Sequence, residues 1–364
     1  MFSFVRLARQ TLLSVGILLA SIGVNAQDLP WHLGSVDQSL PPAPAAINTA
    51  GAKPGPHEVV VAVIDSGVLA NHPSLEGRLL PGYDLLSPPN NLRGARSADF
   101  SPDLRDAKCD GRITSNAFRT HGTEISSLIA GNGADGVRGV NPSSKIVPIR
   151  LFGSCPMNRS DLLDAISWAA GFPVEGTPIN SNPAKVINLS FSGGKQVCGA
   201  DLQKLLDRVA RKNIFVVAAV GNTFGKKITE PANCSGVISV GSVDAENNIE
   251  TYSALDPRTV IYAPGGGKSL DKNAPWRANK LKVATFEVDF WGQEVHAGVA
   301  RGVGTSYAAP LVSGFVSLLL SQRPEMTPND FLSQISKFSR PVNPTDKCAD
   351  CNPKGLTMMP SNFR

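Results

Sequence analysis

Residues 185–219 read KVINLSFSGGKQVCGADLQKLLDRVARKNIFVVAA, and this stretch decides the fold class. Two compact apolar runs, 185–190 and 213–219, enclose a segment, 200–212, in which leucines and a valine recur on one helical face. Short apolar runs rich in β-branched residues suit strands that are buried on both faces. The amphipathic segment between them predicts a helix that covers one of those faces. The stretch therefore predicts a strand, a helix and a second strand.

The same alternation continues on both sides of this unit. Apolar runs at 58–64, 145–151 and 236–241 predict further strands, and residues 161–170 predict a helix. Alternating strands and helices imply a mainly parallel central sheet with helices on both faces. The sequence therefore predicts a three-layer α/β fold.

Two later segments depart from this alternation. Residues 306–321 are apolar on nearly all sides, which predicts a central buried helix. Residues 265–303 fit the strand–helix pattern poorly, so we expect an insertion of loops or a hairpin there.

The composition excludes several classes of protein. The chain has 364 residues, 42% of them hydrophobic, and a formal net charge of +5. This is enough apolar material for a large core, and no block of like charge points to a nucleic-acid partner. We find no repeats, and expect one domain at 58–364 preceded by an extended arm at 27–57 that is rich in Pro, Ala and Gly.

Residues 1–26 are typical of a secretory signal peptide. Arg6 and Arg9 precede an apolar stretch at 11–24, and residues 24–26 (VNA) form an acceptable cleavage site. The alternative is a membrane anchor, for which the apolar stretch is short. We expect an exported protein, secreted or periplasmic, with no membrane segment in its mature form.

Three motifs place polar side chains at a strand end and at two helix starts. Residues 61–67 (VAVIDSG) end a strand on Asp65, residues 121–123 (HGT) open a helix with His121, and residues 304–310 (GTSYAAP) place Ser306 at the start of the buried helix. A serine hydroxyl becomes a nucleophile when an imidazole takes its proton and a carboxylate orients that imidazole. Strand ends and helix starts meet in a crevice of such sheets, so we expect these groups to converge.

Each residue also has a simpler interpretation. Asp65 in an Asp-Ser-Gly sequence is typical of a turn. His121 can be a surface residue at a helix start, and Ser306 can be an N-cap. The combination, in this order and with these flanking residues, favours a catalytic site.

The order Asp, His, Ser with these motifs resembles the subtilisin-like serine proteases (subtilases, peptidase family S8) over about residues 58–340. Residues 182–188 (NPAKVIN) are similar to those of extracellular subtilases from Gram-negative bacteria. The resemblance implies a secreted serine endopeptidase with a subtilisin-like fold, Asp65, His121 and Ser306 as its triad, and protein or peptide substrates. It implies no cofactor for the chemistry, and it leaves the oligomeric state open.

A further segment, residues 218–222 (AAVGN), resembles the part of the family that supplies the oxyanion-hole asparagine. The resemblance implies that the side-chain amide of Asn222 stabilises the oxyanion together with the backbone N–H of Ser306. The alternative for Asn222, which follows a glycine, is a residue in a left-handed turn.

Residues 186–194 (VINLSFSGG) resemble the family's strand edge that pairs with the substrate backbone. The resemblance implies a pocket for the side chain before the cleaved bond, walled by Ser190, Phe191, Ser192, Gly193, Ala219, Val220 and Gly221. None of these residues carries a charge, which predicts a preference for apolar residues. The alternative is a preference for Lys or Arg before the cleaved bond, because the acidic Glu230 lies close to where the family's pocket closes.

Several positions depart from the family pattern. The family usually has histidines and a methionine where this chain has Glu124, Leu311 and Tyr307. None of these is a triad residue, so the changes concern substrate details more than activity. The arm at 27–57 is too short for a long folded pro-segment; either the chain folds unaided or the arm does a reduced version of that work.

Three motifs have residue types found in ion- or phosphate-binding sites, but two of them lack a required part. Residues 131–136 (GNGADG) resemble a family calcium loop, in which Asn132 and Asp135 would be oxygen ligands of a structural calcium, although such a run is also typical of a turn. Cys348 and Cys351 form a Cys-x-x-Cys without the second pair that zinc needs. Residues 264–269 (PGGGKS) lack the first glycine of a phosphate-binding loop.

Six cysteines in an exported chain favour disulfides, although the sequence alone does not fix their pairing. We expect the pairs Cys109–Cys155, Cys198–Cys234 and Cys348–Cys351, since exported subtilases of the Gram-negative extracellular type show similar cysteines.

Two rival functions come from other classes. One is a catalytically silent binding protein on the same fold; the other is an esterase of the α/β-hydrolase type. The esterase would need a Gly-x-Ser-x-Gly turn and the order Ser, Asp, His, and neither is present. The other histidines have no matching context, so we expect them to be solvated: His32, His57, His72 and His296.

Overall fold

The computed structural model of the chain describes residues 30–34, 43, 45–49, 52–91, 93–104, 107–109, 112–114, 118–155, 157–267, 280–289, 294–343, 348 and 353–357, with the backbone alone for 107–109 and 112–114. The expected signal peptide at 1–26 lies outside these residues. The domain boundary at residue 58 stays a prediction.

The described residues form strands and helices that alternate over much of the chain. The strands are β1 Val60–Asp65, β2 Tyr83–Asp84, β3 Ala107–Cys109, β4 Arg112–Thr114, β5 Lys145–Arg150, β6 Val186–Leu189, β7 Phe215–Ala219, β8 Ile238–Val243, β9 Ile261–Pro264, β10 Leu281–Val288, β11 Val295–Gly302, β12 Ser339–Pro341 and β13 Lys354–Leu356. The α-helices are α1 His121–Ala130, α2 Arg159–Ala169, α3 Ala200–Ala210, α4 Thr305–Gln322 and α5 Pro328–Ser333.

The central sheet has nine described strands in the order β12-β13-β9-β8-β7-β6-β1-β5-β2. Its neighbouring strands run parallel, except that β12 and β13 are antiparallel. The middle strands are rich in Val and Ile and almost fully buried, as expected for strands covered on both faces. One core lies between the sheet and helices α1 and α4, and the other lies between the sheet and helices α2 and α3. This confirms the predicted three-layer α/β fold.

The segment at 265–303 contains a hairpin, one of the two predicted possibilities. Strands β10 and β11 pair antiparallel from Leu281 opposite Gly302 to Val288 opposite Val295. Two residues separate the hairpin from α4, and it packs on α1, where the backbone N–H of Ala284 donates to Ser127 Oγ at 3.0 Å.

The described part of the arm packs on the domain. Leu33 and Ile47 belong to the same core as α1 and α4, and the backbone N–H of Ala45 donates to the carbonyl of Ala245 at 3.1 Å. These arm residues are therefore part of the folded core.

The prediction that four histidines are solvated is wrong for two of them. His57 and His296 are exposed, but His32 and His72 are buried. Burial lowers the pKa of His32 to about 3. His72 is covered by the β10–β11 hairpin, since its Nε2 lies 2.9 Å from the carbonyl oxygen of Thr285 on β10 and 3.0 Å from that of Gly298 on β11.

One of the three expected disulfides is confirmed. Cys198 and Cys234 are bonded, with their Cα atoms 5.1 Å apart. Cys155 and Cys348 are also disulfide-bonded. The side chain of Cys109 and all of Cys351 lie outside the described residues, so those two pairings stay predictions.

Within the part of the chain that the structure describes, we find no helix with both the length and the apolar character needed to span a bilayer.

Candidate active site

The end of β1 and the start of α1 bring Asp65 and His121 together. His121 Nδ1 lies 2.8 Å from Asp65 Oδ1 and 3.0 Å from Oδ2. The helix can begin so close to the strand end because residue 122 is glycine: a Cβ there would lie 2.2 Å from the carbonyl oxygen of Gly67. The backbone N–H of Gly122 also donates to Ser66 Oγ at 3.0 Å. The two motifs therefore interlock through small residues.

The environment of His121 favours its charged form. Burial lowers the pKa of His121, but the charge and hydrogen bond of Asp65 and the charge of Glu124 raise it, and the net pKa lies above the ordinary value of 6.5. Because Asp65 accepts at Nδ1, the ring leaves Nε2 for another partner.

Helix α4 begins beside Asn222. The side-chain oxygen of Asn222 accepts hydrogen bonds from the backbone N–H of Thr305 at 2.9 Å and from its hydroxyl at 3.0 Å. These two bonds fix the orientation of the carboxamide, and neither of them uses its Nδ2 group. A Cβ on Gly304, where φ is 143°, would lie 3.1 Å from Asn222 Nδ2 and 3.3 Å from Ser306 Oγ. The amide donor and the hydroxyl therefore flank one small space, which a side chain at 304 would fill.

A cleft with a cavity of about 370 Å³ joins these groups, since His121, Ser306 and Asn222 all line it. Five residues that the resemblance implied for substrate binding line it too: Ser190, Phe191, Ser192, Ala219 and Gly221. A smaller cavity of about 290 Å³ is lined by a sixth, Gly193, together with Phe191 and Ser192. His121, Ser306 and Asn222 thus share one surface with most of the predicted substrate-binding residues, and Asp65 lies buried behind His121.

The prediction that Val220 walls the pocket is wrong. Its side chain is fully buried among the residues that face α2 and α3, whereas Ala219 belongs to the opposite core. Side chains alternate along extended backbone, so Val220 points away from the cleft and its side chain walls neither cavity.

Three apolar residues of the cleft were missed from the sequence. Phe118, Phe152 and Met157 line the larger cavity. The Phe152 ring packs edge-on against Phe191, with the ring centroids 5.8 Å apart. All three lie outside regular secondary structure, where no periodicity reveals a residue's direction.

Glu230, the alternative signal for basic substrates, lines the smaller cavity but is already paired. Its carboxylate accepts from Arg159 Nη1 at 2.7 Å and from the backbone N–H groups of Gly199 at 2.5 Å and Lys195 at 3.2 Å. Burial raises the pKa of Glu230, but these hydrogen bonds and the charge of Arg159 hold it below its usual value. The negative charge is therefore compensated from within the protein.

The loop at 131–136 does not fit a calcium ion. Asn132 Oδ1 accepts from the backbone N–H of Ala134 at 2.8 Å, and its Nδ2 donates to the carbonyl of Pro73 at 2.8 Å. Asp135 is exposed at the tip of the turn. A Cβ on Gly136 would lie 2.5 Å from Lys282 Nζ, so an ammonium group already lies beside the loop. These contacts favour the turn interpretation.

The chain is similar in sequence to known proteins. The sequence pattern described as "Subtilase family" matches residues 56–340. The chain is 34% identical over 275 residues to an extracellular basic protease of Dichelobacter nodosus, which covers 72% of this chain and 43% of that protein. It is 31% identical over 303 residues to an extracellular protease of Xanthomonas campestris pv. campestris, with 81% and 48% covered. The chain thus spans less than half the length of these relatives.

Solved structures show the same likeness. A structure described as proteases from Pseudoalteromonas arctica superposes with a TM-score of 0.73 at 30% identity, covering 90% of this chain and 94% of that one. A cold-adapted subtilisin-like serine proteinase superposes with a TM-score of 0.64 at 22% identity, covering 91% and 99%, and this match supports the fold alone.

Proposed function

The chain belongs to the subtilase family, and from this premise we propose that it is a secreted serine endopeptidase with Asp65, His121 and Ser306 as catalytic residues. The observation that carries the proposal is the hydrogen bond of 2.8 Å between Asp65 Oδ1 and Nδ1 of His121, a histidine that lines the same cleft as Ser306. The substrates are extended segments of proteins or peptides. A disulfide between Cys198 and Cys234 suits an exported protein.

In the proposed mechanism, Ser306 Oγ attacks the carbonyl carbon of the scissile peptide bond. His121 takes the hydroxyl proton at Nε2 and returns it to the leaving amine. Asp65 holds the ring through Nδ1 and stabilises the imidazolium that forms. In the second half of the reaction, water attacks the acyl-enzyme, again with His121 as the base.

The negative oxygen of the tetrahedral intermediate would lie beside Asn222 and the start of α4. The Asn222 carboxamide is held by Thr305, so its Nδ2 donor is oriented before the reaction begins. The N-terminus of this helix of 18 residues adds the backbone N–H of Ser306 and the positive end of the helix dipole.

We expect Asn222→Ala to lower kcat by about 10²–10³-fold with a smaller effect on KM, because the oxyanion exists only in the transition state. Steady-state kinetics on a peptide substrate would measure this. Thr223→Ala, a change at the next residue outside the proposed site, should leave kcat near the wild-type value. Equal losses in the two variants would argue for a general loop defect and against an oxyanion role for Asn222.

The same geometry predicts substrate preference. Phe152, Met157 and Phe191 make the cleft apolar, and Arg159 compensates the charge of Glu230. We expect a peptide library to show broad preference for apolar residues before the cleaved bond, since such pockets discriminate by only about 1–3 kcal/mol per methylene.

The variant Arg159→Gln tests whether Arg159 compensates the charge of Glu230. It leaves Glu230 with its backbone donors but without its guanidinium, so cleavage after Lys and Arg should rise relative to wild type. A wild-type profile already dominated by basic residues would show that Glu230 is not compensated and would overturn the apolar assignment.

A fluorophosphonate that reacts with activated serines tests the function directly. We expect the wild-type protein to be labelled on the peptide that contains Ser306, and Ser306→Ala to remain unlabelled. An unlabelled wild-type protein that is folded would favour a catalytically silent binding protein instead.

A further inference from the structure

Two departures from the family pattern, Glu124 and Tyr307, meet beside His121. The carboxylate of Glu124 accepts hydrogen bonds from the hydroxyls of Thr120 at 2.7 Å and Thr285 at 3.0 Å, and a short one from Tyr307. Only 7% of Glu124 is exposed. Three hydroxyl donors from three parts of the chain thus surround one buried carboxylate.

Tyr307 connects this carboxylate to the catalytic groups. It directly follows Ser306 on α4, and its ring lies edge-on to the His121 imidazole, with the centroids 5.9 Å apart at 84°. Glu124 lies three residues after His121 on α1, so both side chains are on the same side of that helix. The phenol therefore fixes Glu124 while its ring packs against the proposed base.

We propose that Glu124, held by Tyr307, Thr285 and Thr120, is a positioning residue whose fixed negative charge supports the His121 imidazolium formed during catalysis. The proposal rests on the proposed function, in which His121 is the base. Asp65 remains the group that bonds the ring, and Glu124 acts through space from the side of α1 and α4.

The charged surroundings agree with this role. The pKa of His121 is lowered by burial but raised by Asp65 and also by the charge of Glu124. Burial and the same carboxylate raise the pKa of Tyr307, which keeps the phenol protonated as a donor. Titratable groups on the elements packed against α1 are Asp65 on β1, Lys145 and Arg150 on β5, Lys282 and Glu287 on β10, Tyr307 on α4, and His72 in the turn between β1 and β2.

The role has a defined consequence for pH dependence. A general base must be neutral, so kcat/KM falls as pH drops through the pKa of His121 in the free enzyme. A nearby negative charge favours the imidazolium and raises that pKa. We therefore expect the acidic limb of wild-type kcat/KM to have its midpoint above 6.5.

The test is the pH profile of Glu124→Gln, which removes the charge and nearly preserves the shape. We expect the midpoint of the acidic limb to move down by about 0.5–1 pH unit, with kcat at the alkaline plateau reduced several-fold. Glu124→Asp keeps the charge, so its limb should stay closer to wild type even if its plateau falls. Glu175→Gln, the same change at an exposed residue after α2, should move neither quantity.

If Glu124→Gln fails to fold, Glu124→Met combined with Tyr307→Phe gives the same test, because it removes the carboxylate and the phenol together. A loss of activity or stability with an unmoved limb would assign Glu124 a purely structural role and overturn the proposal. Fluorophosphonate labelling of Ser306 in the wild type separates a failure of the role proposed for Glu124 from a failure of the proposed function. Labelling shows an activated serine whatever the midpoint of the acidic limb.

Discussion

We expect His121→Ala to lower kcat on a peptide substrate by about 10⁶-fold, the loss seen when a triad of this kind is broken. Without the imidazole, no group near Ser306 takes its proton, and the remaining activity comes from substrate binding and the oxyanion site. The double variant His121→Ala/Ser306→Ala should be little worse than either single one, because base and nucleophile act as a unit.

His296→Ala is the matched control, because His296 is an exposed histidine on β11 outside the cleft. Its kcat should equal that of the wild type. If the two single losses at 121 and 306 instead added in the double variant, the residues would be acting independently and the proposed roles would be wrong.

The largest effect on stability is expected for Arg150→Met. Arg150 ends β5 next to Asp65 on β1, and its side chain is fully buried. Its guanidinium donates to Asp84 at 2.5 Å and to Asp103 at 2.6 Å. Removing one partner of a buried ion pair costs about 3–5 kcal/mol, since the carboxylates stay buried without it. We expect a loss of this size in the free energy of unfolding in urea.

The unfolding experiment is best done in a Ser306→Ala background, which prevents self-digestion under the proposed function. Arg208→Met is the control: this exposed arginine lies 4.4 Å from the centre of the Phe172 ring, and its loss should cost less than about 1 kcal/mol. Equal losses for the two variants would contradict a special role for the buried cluster.

The loss at Arg150 should also depend on pH. Burial raises the pKa of Asp84 and the charge of Arg150 opposes this, so removing Arg150 raises the pKa further. When a carboxyl has a higher pKa in the folded state than in the unfolded state, the free energy of unfolding increases as pH falls. The destabilisation should therefore be smaller at pH 5 than at pH 7.

The layers of the fold were predictable because the signal was local. The apolar run at 145–151 became β5 Lys145–Arg150, and the amphipathic segment at 200–212 became α3 Ala200–Ala210. Strands β12 and β13 were not predicted, since they are three residues long and too short for periodicity to show. The convergence of Asp65 and His121 followed from their place at a strand end and a helix start.

What escaped prediction depends on contacts between distant residues. Glu124 and Tyr307 are 183 positions apart, so the sequence showed them as two unrelated differences from the family pattern. In the structure the two side chains are hydrogen-bonded to each other. Glu230 read as a free acid because Arg159, its partner, is 71 residues away. His72 read as solvated because the hairpin that covers it follows more than 200 residues later.

The central claim is that Ser306 is the nucleophile of a triad, and steady-state kinetics of purified, correctly folded Ser306→Ala tests it most directly. We predict that this variant loses nearly all kcat on a peptide substrate that the wild type cleaves. A Ser306→Ala protein, free of contaminating protease, that kept more than about one hundredth of wild-type kcat would contradict the claim, since triad variants of this kind lose far more.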